Sequence, residues 1–143
     1  MQPAVPINMF AILACVIVAV ALGSIWYGPL FGKSWMKMSG IEMPKKMTPA
    51  VKKMMMKSYG IQMIGSILMA FVMAHSMVFA MTYLGITGIA AGLQGGFWNW
   101  LGFVAPVTLG TVIWEGKPWK LWFINAGYYL VLLSVMGIII AMM

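Results

Sequence analysis

Charge is scarce in this sequence. Only 8% of its 143 residues are charged, and 63% are hydrophobic, whereas a soluble domain usually carries about 25% charged residues. A chain with so little charge is not expected to have water as its main solvent. Its length accommodates a single domain, residues 1–143.

Three residue types that carry much of protein chemistry are absent or nearly so. There is no aspartate, and the two acids, Glu42 and Glu115, are distant in sequence, so neither a Ser-His-Asp set nor a local carboxylate pair is available. There is no arginine for bidentate recognition of phosphate or guanine. The single cysteine, Cys15, excludes an intrachain disulfide and a multi-cysteine metal cage. A membrane-embedded enzyme is therefore only the third interpretation, and no cofactor is expected.

Long apolar segments dominate what is present. A bilayer-spanning helix needs roughly 20 mostly apolar residues, and four such spans are predicted, at about residues 7–28, 59–83, 93–114 and 119–142. The predicted fold is all-α, with four transmembrane helices in an antiparallel bundle. In the first span Ala11, Cys15, Ala19 and Gly23 recur every four residues and share one face, which favours close helix packing in lipid.

The connection at residues 29–58 is rich in lysine. Phe31, Trp35 and two methionines interleave with its first lysines, a pattern typical of a short helix in the headgroup layer. Thr48 and Pro49 then predict a helix start, and the helical pattern continues to Leu84 for about 54 Å, well beyond a hydrocarbon core of about 30 Å. The residues expected to contact lipid headgroups are Lys33, Lys37, Lys52, Lys53, Lys57 and Trp35.

The placement of lysine also predicts the orientation. Seven of the nine lysines lie in the first connection, and the other two, Lys117 and Lys120, lie at the third. By the positive-inside rule both connections, including Lys45, face the cytoplasm of a cell membrane and both termini face outward. The net charge of +7 therefore indicates anionic lipid, and not nucleic acid, as the partner.

The remaining connections are short. Residues 85–92 are predicted to form a tight outer connection, which would place Trp98 and Trp100 near the outer interface. Pro106 is expected to kink the third span, with neighbours or Thr108 and Thr111 helping to satisfy the freed carbonyl. A four-residue turn follows, in which Gly116 can take a positive φ.

Polar side chains inside the spans are the candidate functional residues, since they are costly in lipid unless paired. Counting along the helices places them in an outer and an inner layer. One interpretation is a polar lining for a solute or proton path, and the other is a set of interhelical hydrogen bonds. The candidates are His75, Asn99, Gln62, Thr108, Asn125 and Glu115.

Methionine is unusually frequent, with 17 residues. Met69, Met73, Met77 and Met81 recur every four positions in the second span. Thioethers suit Cu(I), but His75 points to about the opposite face. We therefore interpret the stripe as flexible apolar filler facing lipid or the core, and we expect no metal.

Three segments, WYGPLFGKSWMK at residues 26–37, GGFWNWLGFVAP at 95–106 and WEGKPWKLWFINAGYYL at 114–130, resemble those that mark the small membrane proteins grouped as domain of unknown function 1761. The resemblance covers almost the whole chain. It implies a four-helix membrane protein with no assigned activity and supplies no catalytic residues.

Together these observations favour a non-enzymatic membrane component: an accessory, scaffold or assembly protein that forms homo-oligomers. The alternative is a small transporter or channel that uses the intramembrane polar residues, in which case an oligomer would be needed to enclose a path. The two differ in whether the polar layers line a wet space or are bonded and dry.

Overall fold

The computed structural model describes residues 6–42, 44 and 46–143. This part of the chain is helical and contains no strand. Four of its helices are long and apolar enough to cross a membrane, which confirms the predicted fold class. The helices are α1 (Met9–Leu30), α2 (Gly32–Ser39), α3 (Pro49–Leu84), α4 (Gly88–Ile113) and α5 (Trp119–Met142).

Helix α1 begins at a side-chain cap and ends in a distorted turn. The Asn8 side chain accepts a hydrogen bond from the Phe10 amide at 2.9 Å. The α-helical part ends at Ile25, and a π-helical turn follows at Trp26–Leu30. Within this turn Gly28 has non-helical angles (φ −103°, ψ −105°) just before Pro29, so the regular helix breaks where the sequence predicted that the span ends.

The small face of α1 is buried as predicted. Ala11, Cys15 and Ala19 are each at most 4% exposed, and α1 packs against both α3 and α5. The Cys15 Sγ lies 3.7 Å from the Met136 carbonyl oxygen. The prediction that Cys15 is a small packing residue therefore fits its position.

Helix α2 is the predicted short amphipathic helix of the first connection. Its lysines are exposed, while Trp35 is half-buried, with its ring 5.2 Å from that of Tyr27. Gly40 ends the helix with a φ of 72°, a left-handed conformation that glycine adopts without steric penalty. Lys45, predicted to lie on the inner side, falls outside the described residues.

Helix α3 spans the 36 residues predicted from its caps. The Thr48 hydroxyl accepts from the Val51 amide at 3.3 Å, and Pro49 occupies the first turn. Only its second half packs into the bundle. Its buried residues are Ser66, Ala70, Met73, Ala74 and Met77.

Helix α4 begins at Gly88, so the predicted outer connection at residues 85–92 was too long and the third span begins before residue 93. Glycine is common in loops, but two glycines in the first half of α4 lie at contacts between helices. Gly92 and Gly96 are buried against α5, and a Cβ at Gly96 would lie 2.5 Å from the Ser134 Cα. Gly92 and Gly96, four residues apart, thus serve a close helix contact inside the bundle.

The middle of α4 is irregular. Its α-helical start, Gly88–Asn99, gives way to a π-helical turn at Trp100–Val104, and short α segments follow at Ala105–Thr108 and Gly110–Ile113. Pro106 lies just after the π turn, as expected for a kink. Thr108 donates to the Val104 carbonyl at 2.7 Å. The carbonyl that Pro106 leaves without a donor is the one four residues before it. Thr108 does not bond to that carbonyl, so the prediction was wrong for this threonine.

Methionine fills the core around α5. Met73 and Met77 are 3% and 1% exposed, and Met69 and Met81 pack against the same cluster. The stripe therefore faces the bundle interior. A Cβ at Gly95 would collide with the Met77 Sδ, so a glycine on α4 makes room for this side chain.

Candidate functional site

Two of the predicted inner polar residues form hydrogen bonds between helices. The Tyr27 hydroxyl donates to the Asn125 Oδ1 at 3.1 Å, which joins the end of α1 to α5. The Trp122 Nε1 donates to the Thr108 Oγ1 at 3.0 Å, which joins α5 to α4. These contacts correspond to the interhelical hydrogen bonds of the second interpretation.

The predicted outer polar residues do not meet. The His75 Nδ1 lies 2.9 Å from the Phe71 carbonyl oxygen of its own helix, and its ring packs on that of Phe71 at 4.5 Å. The Asn99 Nδ2 donates to the Gly95 carbonyl of its own helix at 2.8 Å. Counting helical rise gave these side chains similar depths, but each is bonded within its own helix.

Gln62 is exposed on the first turns of the second span. Ser66 lies one turn further along the same side of α3 and is only 2% exposed. Helix α3 therefore leaves the bundle between these two residues. The Gln62 backbone carbonyl accepts from the Ser66 Oγ at 3.0 Å, and the exposed side-chain amide has no hydrogen-bond partner among the described residues.

Glu115 lies in the turn between α4 and α5 and is exposed. Gly116 has a φ of 66°, which confirms the predicted positive φ. The turn is held by the Lys117 amide, which donates to the Thr111 carbonyl at 3.0 Å. Among the described residues Glu115 forms no ion pair, so this acid stands apart from the other polar candidates.

Sequence analysis missed a second group of interhelical hydrogen bonds, all involving α5 between Ile124 and Tyr128. The Trp26 Nε1 donates to the Ile124 carbonyl at 3.0 Å, and the Trp100 Nε1 donates to the Ala126 carbonyl at 2.7 Å. The Tyr128 hydroxyl donates to the Ala19 carbonyl at 3.2 Å. The acceptors are backbone oxygens, so no residue type in the sequence indicates them.

Trp100 lies well inside helix α4. The helix begins twelve residues before it, a distance of about 18 Å at 1.5 Å per residue. The placement of Trp98 and Trp100 near the outer interface stays a prediction. The half-buried Trp100 indole binds a backbone carbonyl of α5, as Trp N–H groups commonly do away from water.

Aromatic rings surround these hydrogen bonds at the end of α1. Tyr27 lies 5.1 Å from Tyr128 and 5.2 Å from Trp35, and Trp26 lies 5.0 Å from Phe31. The contacts fix α2 and the π-helical turn of α1 onto α5. The chemistry available here is donation by indole and phenol to oxygen acceptors, and it holds helices together.

The predicted headgroup lysines are all exposed, on α2 and on the first turns of α3. At the same end, an apolar groove of about 460 Å³ opens between the end of α1 and the first turns of α5. Its lining residues are Trp26, Phe31, Trp119, Lys120, Phe123 and Ile124. The first and third connections therefore lie at one end of the bundle, as the lysine distribution requires.

The residues that the structure describes contain no group of three His, Cys, Asp or Glu side chains placed to hold a metal ion. The methionine thioethers of α3 lie in the packed core, where the two most buried are Met73 and Met77. The expectation that this stripe binds no metal remains a prediction.

These features define a multi-pass membrane protein whose helices are joined by hydrogen bonds and close glycine contacts. The chain matches the family described as Protein of unknown function (DUF1761) over residues 10–141. It belongs to that family, which agrees with the resemblance found in its three segments. No curated protein and no solved structure matches the chain.

Proposed function

We propose that this protein is a non-enzymatic accessory, scaffold or assembly component of the cell membrane, and that it self-associates through the inner half of α3. The observation that carries the proposal is the exposed side-chain amide of Gln62 on α3. Ser66, one turn further along the same helix, is buried in the bundle. In this proposal the lysine-rich end faces the cytoplasm.

The distribution of polar bonds favours a structural role over a solute path. A path needs polar side chains that converge on a wet cavity. Here His75 and Asn99 bond within their own helices, and Asn125 and Thr108 accept hydrogen bonds from aromatic donors. The 460 Å³ groove is lined by apolar side chains and one lysine, which does not suit a small polar solute.

Gln62 differs from these residues because its amide is unbonded among the described residues. An amide transferred to an apolar environment without a hydrogen bond costs roughly 2–7 kcal/mol, depending on the reference state. A neighbouring helix that supplied both a donor and an acceptor would remove this penalty. Gly65 lies near Gln62 on the helix surface, and a Cβ there would meet nothing within 4 Å, so a neighbour has room to approach closely.

A second copy of the same chain supplies the required partner. Two copies related by a two-fold axis along the membrane normal place Gln62 opposite Gln62 at one depth. The amide is self-complementary, since it carries both a donor and an acceptor. Two hydrogen bonds then satisfy both side chains across the interface.

Disulfide cross-linking in membranes tests this interface. Cys15, the single cysteine, is first replaced by alanine, and Gln62→Cys is introduced. We expect oxidation to give a covalent dimer, because the two Gln62 positions face each other.

Ile64→Cys is the matched control. Ile64 is also exposed and lies within about 3 Å of Gln62 along the helix axis but on nearly the opposite side. It should give little dimer. Equal cross-linking at both positions, or none at Gln62, would contradict the proposed interface. Thermal unfolding of each variant verifies that the bundle is intact.

A further inference from the structure

The groove at the lysine-rich end has an almost wholly apolar lining, and Lys120 is the one charged residue that contributes to it. Trp119, Lys120, Phe123 and Ile124 lie on one side of the first turns of α5. Trp26 and Phe31 form the opposite wall at the end of α1. The groove has a volume of about 460 Å³ and is largely open to its surroundings.

The opposite wall is held in place by bonds that do not depend on a ligand. The Trp26 Nε1 donates to the Ile124 carbonyl at 3.0 Å, and the rings of Trp26 and Phe31 lie 5.0 Å apart. Because its indole N–H is already bonded, Trp26 presents only apolar surface to the groove. Lys120 is then the one charged side chain among the lining residues.

This combination fits a molecule with an apolar chain and an anionic end. Trp119 is 57% exposed at the mouth of the groove, and Phe123, one turn deeper in the helix, is 64% exposed. Tryptophan is typical of the membrane–water interface, and aromatic and aliphatic side chains suit the acyl region. We propose that the groove binds one anionic glycerophospholipid, with its phosphate at Lys120 and its upper acyl chain along Phe31, Phe123 and Ile124.

The charge around the groove argues against a second copy as the occupant. Lys33 is exposed on α2, two residues after Phe31, and Lys117 lies in the turn just before α5. A second copy docked through the same groove would bring its own lysines against these, and like charges brought together at an interface are unfavourable. An anionic headgroup has the complementary charge, and each lysine near an anionic membrane surface contributes about 1 kcal/mol.

Native mass spectrometry of the whole protein tests the site. The protein in mild detergent is mixed with equal amounts of phosphatidylglycerol and phosphatidylcholine that carry the same acyl chains. We expect the wild type to retain phosphatidylglycerol preferentially. Lys120→Gln should lower the retained phosphatidylglycerol about fivefold, the equivalent of ~1 kcal/mol.

Two matched pairs of variants separate the groove from general charge and general apolar surface. Lys46→Gln removes the same charge from the exposed segment before α3, which does not line the groove, and should leave retention unchanged. Phe123→Ala removes a wall but keeps the charge, and it should lower retention. Phe103→Ala is its control, since Phe103 is 75% exposed on α4 and does not line the groove.

Three results would overturn the lipid site. Equal losses in Lys120→Gln and Lys46→Gln would indicate diffuse attraction to charge. Equal retention of phosphatidylglycerol and phosphatidylcholine would show that the groove does not prefer an anionic lipid. A change in the dimer fraction of Lys120→Gln, with no lipid bound by the wild type, would assign the groove to a second copy. The first two results do not bear on Gln62, so the lipid site can fail while the self-association interface stands. The third would place self-association at the groove, and cross-linking at Gln62 tests that interface separately.

Discussion

The contact between α4 and α5 depends on glycine, and Gly96→Ala should disrupt it. A Cβ at Gly96 would lie 2.5 Å from the Ser134 Cα and 2.6 Å from the Ser134 nitrogen, whereas ordinary contacts are 3.4–4 Å. Both atoms belong to the backbone, so no side-chain rotation can relieve the overlap. The two helices would have to separate by about 1 Å along this line.

The expected magnitude follows from two opposing effects. Overpacking a well-packed interior typically costs 1–3 kcal/mol, and we take the upper end because backbone atoms form the contact. Alanine is better than glycine in a helix by about 1 kcal/mol. The free energy of unfolding of Gly96→Ala should therefore fall by about 2 kcal/mol.

Gly60→Ala is the matched control for this substitution. It makes the same chemical change within a helix, but a Cβ at Gly60 would meet nothing within 4 Å. Thermal unfolding in mild detergent, followed by circular dichroism, should give a lower midpoint for Gly96→Ala and an equal or higher midpoint for Gly60→Ala. If Gly96→Ala melts at or above the wild-type temperature, close glycine packing does not hold α4 on α5.

Three further predictions concern the lysine-rich end. Tyr27→Phe keeps the aromatic contacts but loses the hydrogen bond to Asn125, so unfolding measurements should show a loss of about 0.6 kcal/mol; no loss would mean that the bond contributes nothing. Gly116→Val should reduce the free energy of unfolding by about 1–2 kcal/mol, because Gly116 has a φ of 66° that valine resists. Glu115→Gln should change the free energy of unfolding little. A larger loss in Glu115→Gln than in Gly116→Val would refute our account of the turn. A cysteine at Lys46 should be labelled only from the cytoplasmic side, and labelling from outside would invert the proposed orientation.

The sequence predicted the structure best where a residue pattern has a single structural role, such as capping a helix or forming a small packing face. Thr48 followed by Pro49 marked the start of α3, and its 36-residue length followed. The four-residue spacing of Ala11, Cys15 and Ala19 identified a face that is buried in the bundle. Hydrophobicity, helix caps and small-residue spacing are local properties, so they can be read without knowing the neighbouring helices.

Glycine was ambiguous because it suits both turns and close helix contacts. Residues 85–92 were interpreted as a connection, yet Gly88 begins α4 and Gly92 packs on the backbone of α5. Which role applies depends on a neighbour that is 40 or more residues away in sequence. The π-helical turns at Trp26–Leu30 and Trp100–Val104 were missed for a related reason, since a one-residue insertion into a helical turn leaves no clear trace in the hydrophobic pattern.

The directions of the candidate polar side chains could not be predicted from the sequence. Helical rise gave His75 and Asn99 similar levels, but a residue count does not orient α3 and α4 relative to each other. In the structure, the side chains of His75 and Asn99 do not face each other, and each bonds to a backbone carbonyl of its own helix. The bonds from Trp26 and Trp100 to α5 could not be predicted because their acceptors are backbone carbonyls.

The central claim is that an intramembrane polar side chain, Gln62, serves self-association and not a solute path. The most direct measurement is the dimer dissociation constant in lipid bilayers, obtained from energy transfer between labelled copies as lipid dilutes the protein. Gln62→Leu should weaken the dimer about tenfold, since an interhelical hydrogen-bonded pair contributes about 1–2 kcal/mol in membrane peptides. Gln62→Asn, which keeps the amide, should weaken it less. A monomeric wild type, or a Gln62→Leu dimer as tight as the wild type, would contradict the account.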